Sequence, residues 1–166
     1  MADSMAALDL MNQLVHQEGR SELTGSLARY LGMRGGILRA ADSHDEAWDS
    51  FAAGAQLLEP MVQGGRGDLL PLLLGAVGDL ASEAPEARKE KETAERANTA
   101  LGLLKQAVDA GHVTEVLREA GKAFCADIGA HMGPLAEAGL DVETFIEVAK
   151  QLGILDDVAD DPASGD

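Results

Sequence analysis

The sequence predicts an all-α fold, a multi-helix bundle of about seven to nine helices. Apolar residues recur with the 3.6-residue period of an amphipathic helix, and no window alternates apolar and polar residues as a strand does. Aromatic residues make up only 3% of the chain, so alanine, leucine and glycine must fill the interior. Small side chains let helices approach closely, which favours helix-on-helix packing over a sheet sandwich.

The domain organisation follows from length and charge. The 166 residues are enough for one hydrophobic core, and the single cysteine excludes an internal disulfide. We expect a single helical domain over residues 1–155, either as one bundle or as two lobes, 1–81 and 101–155, joined by the charged helix 82–100. Residues 156–166 contain aspartates, a proline and a glycine but no base, which predicts a disordered acidic tail.

The first predicted helix covers about Ser4 to Glu18, and Gly19 is a natural C-terminal cap. One face of this helix is apolar and consists of Leu8, Met11, Leu14 and Val15. Met5 and Met11 are either adaptable core filler or part of a face that contacts a partner helix.

Two helix starts are predicted between Ser43 and Pro71. Ser43 and Glu46 have the spacing of a capping box. The helix that follows should end or bend before Pro60, because proline has no backbone N–H. Asp68 is the expected N-cap of the next helix, which places Pro71 in the first turn, where proline is tolerated.

Residues 69–81 are the most apolar stretch and predict a helix that is buried on all sides. The stretch is shorter than the ~20 residues of a membrane span, and it contains Asp79. It is either the central helix of the domain or a contact with a partner. The candidate contact residues are Leu69, Leu70, Leu72, Leu73, Leu74 and Val77.

The composition changes abruptly at Ser82. Residues 82–100 are charged and contain no large apolar side chain. Opposite charges at i,i+4 spacing, such as Glu92 and Arg96, support an exposed helix by about 0.3 kcal/mol per pair. The segment is either the exposed first half of a long helix or an arm between two lobes.

Helical spacing of apolar residues returns after the charged segment. Gly133-Pro134 predicts a turn between two helices. Asp141 is a good N-cap for the last helix, and Gly153 can close that helix. The apolar residues at 154–158 are expected to pack back against the core.

The stretch SLARYLGMRGGILRA, residues 26–40, carries three arginines and no acid. Its pattern of apolar, small and glycine residues predicts two short helices that meet near Gly32. The residues that carry the pattern are Leu27, Ala28, Leu31, Gly32 and Met33, followed by Ile37 and Leu38. On these residues, segment 24–41 resembles the helix-turn-helix signature of bacterial and phage repressors. The resemblance implies that Arg29, Arg34 and Arg39 contact DNA.

The other interpretation of segment 24–41 is a structural helical hairpin with a local basic docking patch. The chain as a whole has a net charge of −16, which disfavours contact with phosphate backbones. Nucleic acid is therefore the less favoured partner.

The residues that could carry out catalysis do not converge in the sequence. The four histidines, His16, His44, His112 and His131, are scattered. Cys125 follows Phe124 on an apolar face, which favours a buried structural thiol over a nucleophile. The polar residues at 44–49 are better explained by helix capping than by metal binding. We therefore expect no enzyme activity, no cofactor and no metal site.

The leading functional prediction is a non-enzymatic interaction protein: an adaptor, accessory or scaffold subunit of a larger assembly, or a homo-oligomer. A helix-turn-helix regulator that uses residues 24–41 is the alternative, and a carrier of an apolar ligand between helices is the second alternative. Asp3 stands where a signal peptide would have lysines, so we expect a cytoplasmic protein without a transmembrane segment. Peripheral contact with a membrane stays open.

Overall fold

The computed structural model describes residues 20–155 together with Gln13 and Val15, so most of the first predicted helix and the acidic tail lie outside the described residues. Within these residues the fold is all-α, as predicted, with seven α-helices and no strand. The helices are α1 (Thr24–Ala40), α2 (His44–Gln63), α3 (Leu70–Ala87), α4 (Glu90–Asp109), α5 (Glu115–Ala130), α6 (Met132–Glu137) and α7 (Val142–Gln151). Short 3-10 turns at Ser21–Leu23 and Gly67–Leu69 precede α1 and α3.

Helix α1 is continuous, so the predicted break near Gly32 is wrong. Leu31 and Gly35 lie on its buried side against α2, and Ser50 of α2 donates its hydroxyl to the carbonyl oxygen of Leu31 at 3.0 Å. This packing outweighs the ~1 kcal/mol by which each glycine disfavours a helix. The chain instead turns after α1, where Asp42 adopts a left-handed φ of 56°.

Helix α2 begins directly after Ser43, as predicted, but the Ser43 side chain makes no capping hydrogen bond. The helix continues through Pro60 to Gln63, so it does not end before Pro60, which was one of the two predicted outcomes. A proline inside a helix removes the hydrogen bond to the carbonyl four residues earlier, here that of Gln56. Because Gln56 and Pro60 both lie on the exposed side of α2, water can replace the lost bond.

Helix α3 is the central helix of the described region, packed against α2, α4 and α5. Its fully buried side chains include Leu73, Leu74, Val77 and Leu80. Pro71 lies in the first turn, as predicted. Asp68 does not cap the helix, because the Gly67–Leu69 turn moves the helix start to Leu70 and Asp68 pairs with Arg66 at 2.8 Å.

The charged segment 82–100 is not one helix, which corrects the prediction of a long exposed helix between two lobes. Arg88 adopts a left-handed φ of 55° and ends α3, and α4 begins at Glu90. The buried residues of the segment include Glu83, Ala94, Ala97 and Ala100. The alanines recur at helical spacing and form the inner face of α4. This face needs no large apolar residue, because small side chains let the helices approach closely.

The C-terminal helices begin where polar side chains or a proline favour a start. Thr114 caps α5 with its hydroxyl, which the sequence analysis did not predict. Gly133-Pro134 lies in the first turn of α6, where proline is tolerated, so the predicted turn is wrong. Asp141 caps α7 by accepting the backbone N–H of Thr144 at 3.0 Å, as predicted, and Gly153 follows the helix with a φ of 72°.

One hydrophobic core joins all seven helices, from Ala28 in α1 to Leu152 directly after α7. Within the described residues, the segments that were predicted as two lobes therefore share one interior. Ile154 and Leu155 are 38% and 40% exposed, so they do not pack back against the core as predicted, and Val158, the third residue of that prediction, lies outside the described residues.

Candidate functional site

The outward side of α1 carries two large apolar side chains in solvent. Met33 and Ile37 are each 69% exposed, and their i,i+4 spacing places them one turn apart on the same side of the helix. Val116 on α5 is equally exposed, but it lacks such a neighbour one turn away on its helix. Single exposed apolar residues are ordinary, whereas adjacent ones form a surface that can contact another molecule.

Two arginines flank this apolar pair. Arg29 and Arg34 are exposed on α1, and neither forms an ion pair with another described residue. The sequence contains no acid between residues 24 and 41, in a chain whose net charge is −16. We use the term α1 face for Arg29, Met33, Arg34 and Ile37 with the adjacent Gly32 and Gly36. It is a basic and apolar surface on an acidic protein.

The glycines of the α1 face are not explained by packing inside the protein. A Cβ atom at Gly32 or Gly36 would meet no described atom within 4 Å, yet each glycine costs about 1 kcal/mol relative to alanine in a helix. Gly35 differs, because a Cβ there would lie 2.5 Å from the ring of Phe51. Gly32 and Gly36 leave the backbone of α1 open to a closely packed neighbour.

Arg39, the third arginine of the segment, lies against acidic residues of α3. Its Nη2 atom donates to Oδ1 of Asp79 at 2.9 Å and to the backbone oxygen of Asp79 at 3.3 Å. Its Nε atom forms an ion pair with Oε1 of Glu83, although the N–H is not aligned for a hydrogen bond. The guanidinium also lies 4.9 Å from the centre of the Phe51 ring, within the range of a cation–π contact.

Glu83 is the buried centre of this polar cluster. Its side chain is only 4% exposed, and its Oε2 atom accepts a hydrogen bond from Nδ1 of His44 at 2.9 Å. The Glu83 carboxylate raises the pKa of His44, because it stabilises the protonated ring. A buried carboxylate requires charged partners of this kind. Glu83 therefore joins α1 and α2 to α3.

Two further carboxyl groups border the cluster. Burial raises the pKa of Asp79, against the opposite effect of Arg39. Burial also raises the pKa of Asp127 on α5, and the nearby charge of Asp79 adds to this effect. The Asp127 carboxylate lies directly on Gly78, where a Cβ atom would come within 2.5 Å of Oδ2. Small Gly78 thus lets α5 and its acid approach α3.

The polar cluster links the α1–α2 hairpin to the rest of the bundle through ion pairs and hydrogen bonds. Arg39 and His44 belong to the hairpin, whereas the three acids belong to α3 and α5. This cluster was not predicted from the sequence. Its signal was the pair Asp79 and Glu83, spaced i,i+4 along a helix that is otherwise mostly apolar.

The helix-turn-helix geometry expected in segment 24–41 is not formed, because α1 has no turn at Gly32. Arg29 and Arg34 are exposed, but Arg39 is paired with Asp79 and Glu83 inside the molecule. The segment is instead the first arm of the α1–α2 hairpin.

The candidate contact residues at the start of α3 lie in the core. The buried ones are Leu69, Leu70, Leu73, Leu74 and Val77, and Leu72 is partly exposed. Of the two predictions for this helix, a central core helix or a partner contact, the structure agrees with the core helix. These side chains do not form an exposed surface.

The predicted apolar carrier requires an apolar cavity between helices. A shallow groove of about 350 Å³ lies between α2 and α4. Its lining residues are Val62, Gln63, Asn98, Thr99, Gly102, Leu103 and Gln106. Because most of these side chains are polar or small, the groove does not favour an apolar ligand.

The remaining candidates for chemistry are Cys125 and the polar residues at 44–49. Burial raises the pKa of the Cys125 thiol to about 12, so the thiol stays protonated at neutral pH. Among the described residues, no group of three or more histidine, cysteine or acidic side chains is placed to hold a metal ion.

No function follows from the helix lengths or from comparison with known proteins. No helix in residues 20–155 is both long and apolar enough to cross a membrane. Comparison with protein-family models, with curated proteins and with solved structures found no match.

Proposed function

We propose that this protein is a non-enzymatic interaction protein that binds an acidic amphipathic helix of a partner protein on the α1 face. One observation carries the proposal: Met33 and Ile37 are largely exposed, one turn apart, on a helix whose exposed charges are all positive. This surface combines the apolar and charged contacts of a helix-binding interface.

The apolar pair can supply a large part of the binding free energy. Complete burial of a methionine or isoleucine side chain contributes about 1.5–3 kcal/mol. A partner that covers the exposed parts of Met33 and Ile37 therefore gains about 2–4 kcal/mol. Interfaces commonly depend on a few such central residues, and methionine adapts its shape to different partners.

The charges of the α1 face favour an acidic partner. Arg29 and Arg34 are exposed beside the apolar pair, whereas the chain as a whole carries a net charge of −16. Complementary charges steer association and suppress binding of the wrong partner. An acidic helix would be repelled by most of this protein and attracted to the α1 face.

Site-specific photo-crosslinking in the cells that produce this chain tests the proposal. A photoreactive amino acid is placed at Met33, at Ile37 and, as a control of equal exposure, at Val116 on α5. We expect one and the same protein to be crosslinked from positions 33 and 37 but not from position 116. The proposal is wrong if positions 33 and 37 yield no adduct, or the same adducts as position 116.

The identified partner then allows a direct measurement of affinity. Replacing both arginines of the face, Arg29→Glu with Arg34→Glu, should weaken binding at least tenfold, because attraction becomes repulsion. The control combines Lys91→Glu on α4 with Lys150→Glu on α7, which changes the net charge by the same amount at exposed residues outside the α1 face. Equal weakening by the control would mean that net charge alone, and not this surface, determines binding.

A further inference from the structure

Helix α1 contacts α3 near both of its ends. At the start of α1, a Cβ atom at Gly25 would lie 3.9 Å from Cδ1 of Leu72. Near the end of α1, Arg39 pairs with Asp79 at 2.9 Å. The contacts follow the same order along both chains, so α1 and α3 lie side by side and run in roughly the same direction.

The middle of this helix pair is built from very small residues. Gly32 lies seven residues after Gly25 and seven before Arg39, which is about two helical turns in each direction. Gly32 is therefore on the side of α1 that faces α3. On α3, Gly75 and Ala76 lie between the two residues that contact α1. At this level, neither helix has a large side chain with which to fill the space between them.

These small residues leave a groove that opens to solvent. A Cβ atom at Gly32 or at Gly75 would meet no described atom within 4 Å. Gly75 is exposed, whereas Gly32 and Ala76 are half-buried. On α1 the exposed Gly36 lies one turn further along, and the exposed Met33 borders the groove on the side away from α3. We use the term α1–α3 groove for Gly32 and Gly36 together with Gly75 and Ala76.

Neither helix contributes an acid to the walls of the α1–α3 groove. The sequence contains no acid in residues 24–41 or in residues 69–78, although the net charge of the chain is −16. Arg29 and Arg34 add exposed positive charge on the α1 side. The groove therefore combines small apolar residues with neighbouring positive charge, which complements a helix that carries large apolar side chains and acids.

We propose that the acidic partner helix lies in the α1–α3 groove and contacts α3 at Gly75 as well as the α1 face. The inference rests on the proposed function, to which it adds a second wall of the binding site. Glycine lets another backbone approach closely, and large apolar side chains of the partner fill the space beside Gly32 and Gly75. A second copy of this chain fits less well, because a symmetric dimer would bring the arginines of both α1 faces together.

Filling the groove from the α3 side tests this inference. The photoreactive amino acid is placed at position 37, and the same chain also carries Gly75→Leu or, as the control, Gly102→Leu. Gly102 on α4 is a matched position, because it is also a helical glycine at which a Cβ atom would meet no described atom within 4 Å. Leucine favours a helix more than glycine does, so neither substitution should lower Tm, which circular dichroism checks.

We expect Gly75→Leu to lower the yield of the partner adduct about tenfold, because overpacking of a closely fitted contact weakens affinity by about that factor. Gly102→Leu should leave the yield unchanged. Gly75→Ala fills less of the groove and should give an intermediate yield, and it serves as the test if the leucine variant does not fold. Mass spectrometry of the adduct should identify an acidic, amphipathic peptide of the partner.

Several results would overturn the groove. They are an unchanged yield with Gly75→Leu, an equal loss with Gly102→Leu, and an adduct that links two copies of this chain. If positions 33 and 37 crosslink a partner and Gly75→Leu leaves the yield unchanged, the proposed function stands and the contact with α3 is wrong. If positions 33 and 37 crosslink nothing without these substitutions, the proposed function and the groove are both wrong.

Discussion

Two neighbouring glycines of α1 should respond in opposite directions to the same substitution. A Cβ atom at Gly35 would lie 2.5, 2.7 and 2.8 Å from three ring atoms of Phe51, which is almost completely buried and contacts Arg39. A Cβ atom at Gly36 would meet no described atom within 4 Å. Gly35→Ala therefore requires the ring or the helix to move, whereas Gly36→Ala requires no movement.

The magnitudes follow from overpacking and from helix propensity. Replacing glycine by alanine inside a helix contributes about 1 kcal/mol, so Gly36→Ala should raise the free energy of unfolding by that amount. Overpacking of a core costs about 1–3 kcal/mol, and three contacts below 3 Å place Gly35→Ala near the upper value. After the propensity gain, Gly35→Ala should lower the free energy of unfolding by about 2 kcal/mol.

Urea denaturation followed by circular dichroism measures both variants. The free energies of unfolding of Gly35→Ala and Gly36→Ala should differ by about 3 kcal/mol. In thermal unfolding, each kcal/mol corresponds to about 2–4 °C in Tm for a protein of this size. If Gly35→Ala is as stable as Gly36→Ala, then α1 does not pack on Phe51 as described, and the orientation of the α1 face is wrong as well.

Three further predictions concern the polar cluster and the helix caps. Glu83→Gln should lower the free energy of unfolding by about 2 kcal/mol, because it removes a buried charge with two charged partners; a loss below 0.5 kcal/mol in urea denaturation would contradict this role. The pKa of His44 in the folded protein is raised above its ordinary value of 6.5. The stability that protonated His44 contributes through Glu83 is therefore fully present below pH 6.5 and is lost as the pH rises through the folded-state pKa. The free energy of unfolding should fall over that range, and His44→Gln should remove this fall whereas His112→Gln, at an exposed site, should retain it. Asp141→Ala should cost about 1 kcal/mol in thermal unfolding, whereas Ser43→Ala should cost little, because the Asp141 side chain makes a capping hydrogen bond and that of Ser43 does not; equal losses would refute the assignment.

Several predictions that depend on neighbouring residues alone were confirmed. The all-α class, the start of α2 after Ser43 and the cap at Asp141 follow from periodicity and from polar side chains within one turn. The predicted break at Gly32 was wrong, and at Pro60 the helix did not end, although it was expected to end or bend there. At Gly32 the local cost of about 1 kcal/mol is outweighed by packing of α1 against α2, which a local pattern does not include. At Pro60 the lost hydrogen bond lies on the exposed side of α2, where water can replace it.

The candidate site was only partly visible in the sequence. The basic segment 26–40 was recognised as unusual, and Arg29 and Arg34 are exposed. The exposure of Met33 and Ile37 was not predicted, because apolar residues at helical spacing suit a core equally well. The pairing of Arg39 with acids that lie about 40 residues away in the chain depends on how α1 packs against α3.

The amino-acid sequence by itself determined that this chain is helical, where α2 and α7 start, and that its basic residues 26–40 differ from the acidic remainder. Those properties depend on contacts within a few residues, which periodicity and composition record. Only the tertiary structure decided which side of α1 faces solvent and which alanines and acids are buried. Burial depends on contacts with helices that are distant in the sequence. The summed free energy of those contacts exceeds the roughly 1 kcal/mol by which a residue's local preference favours or disfavours a helix.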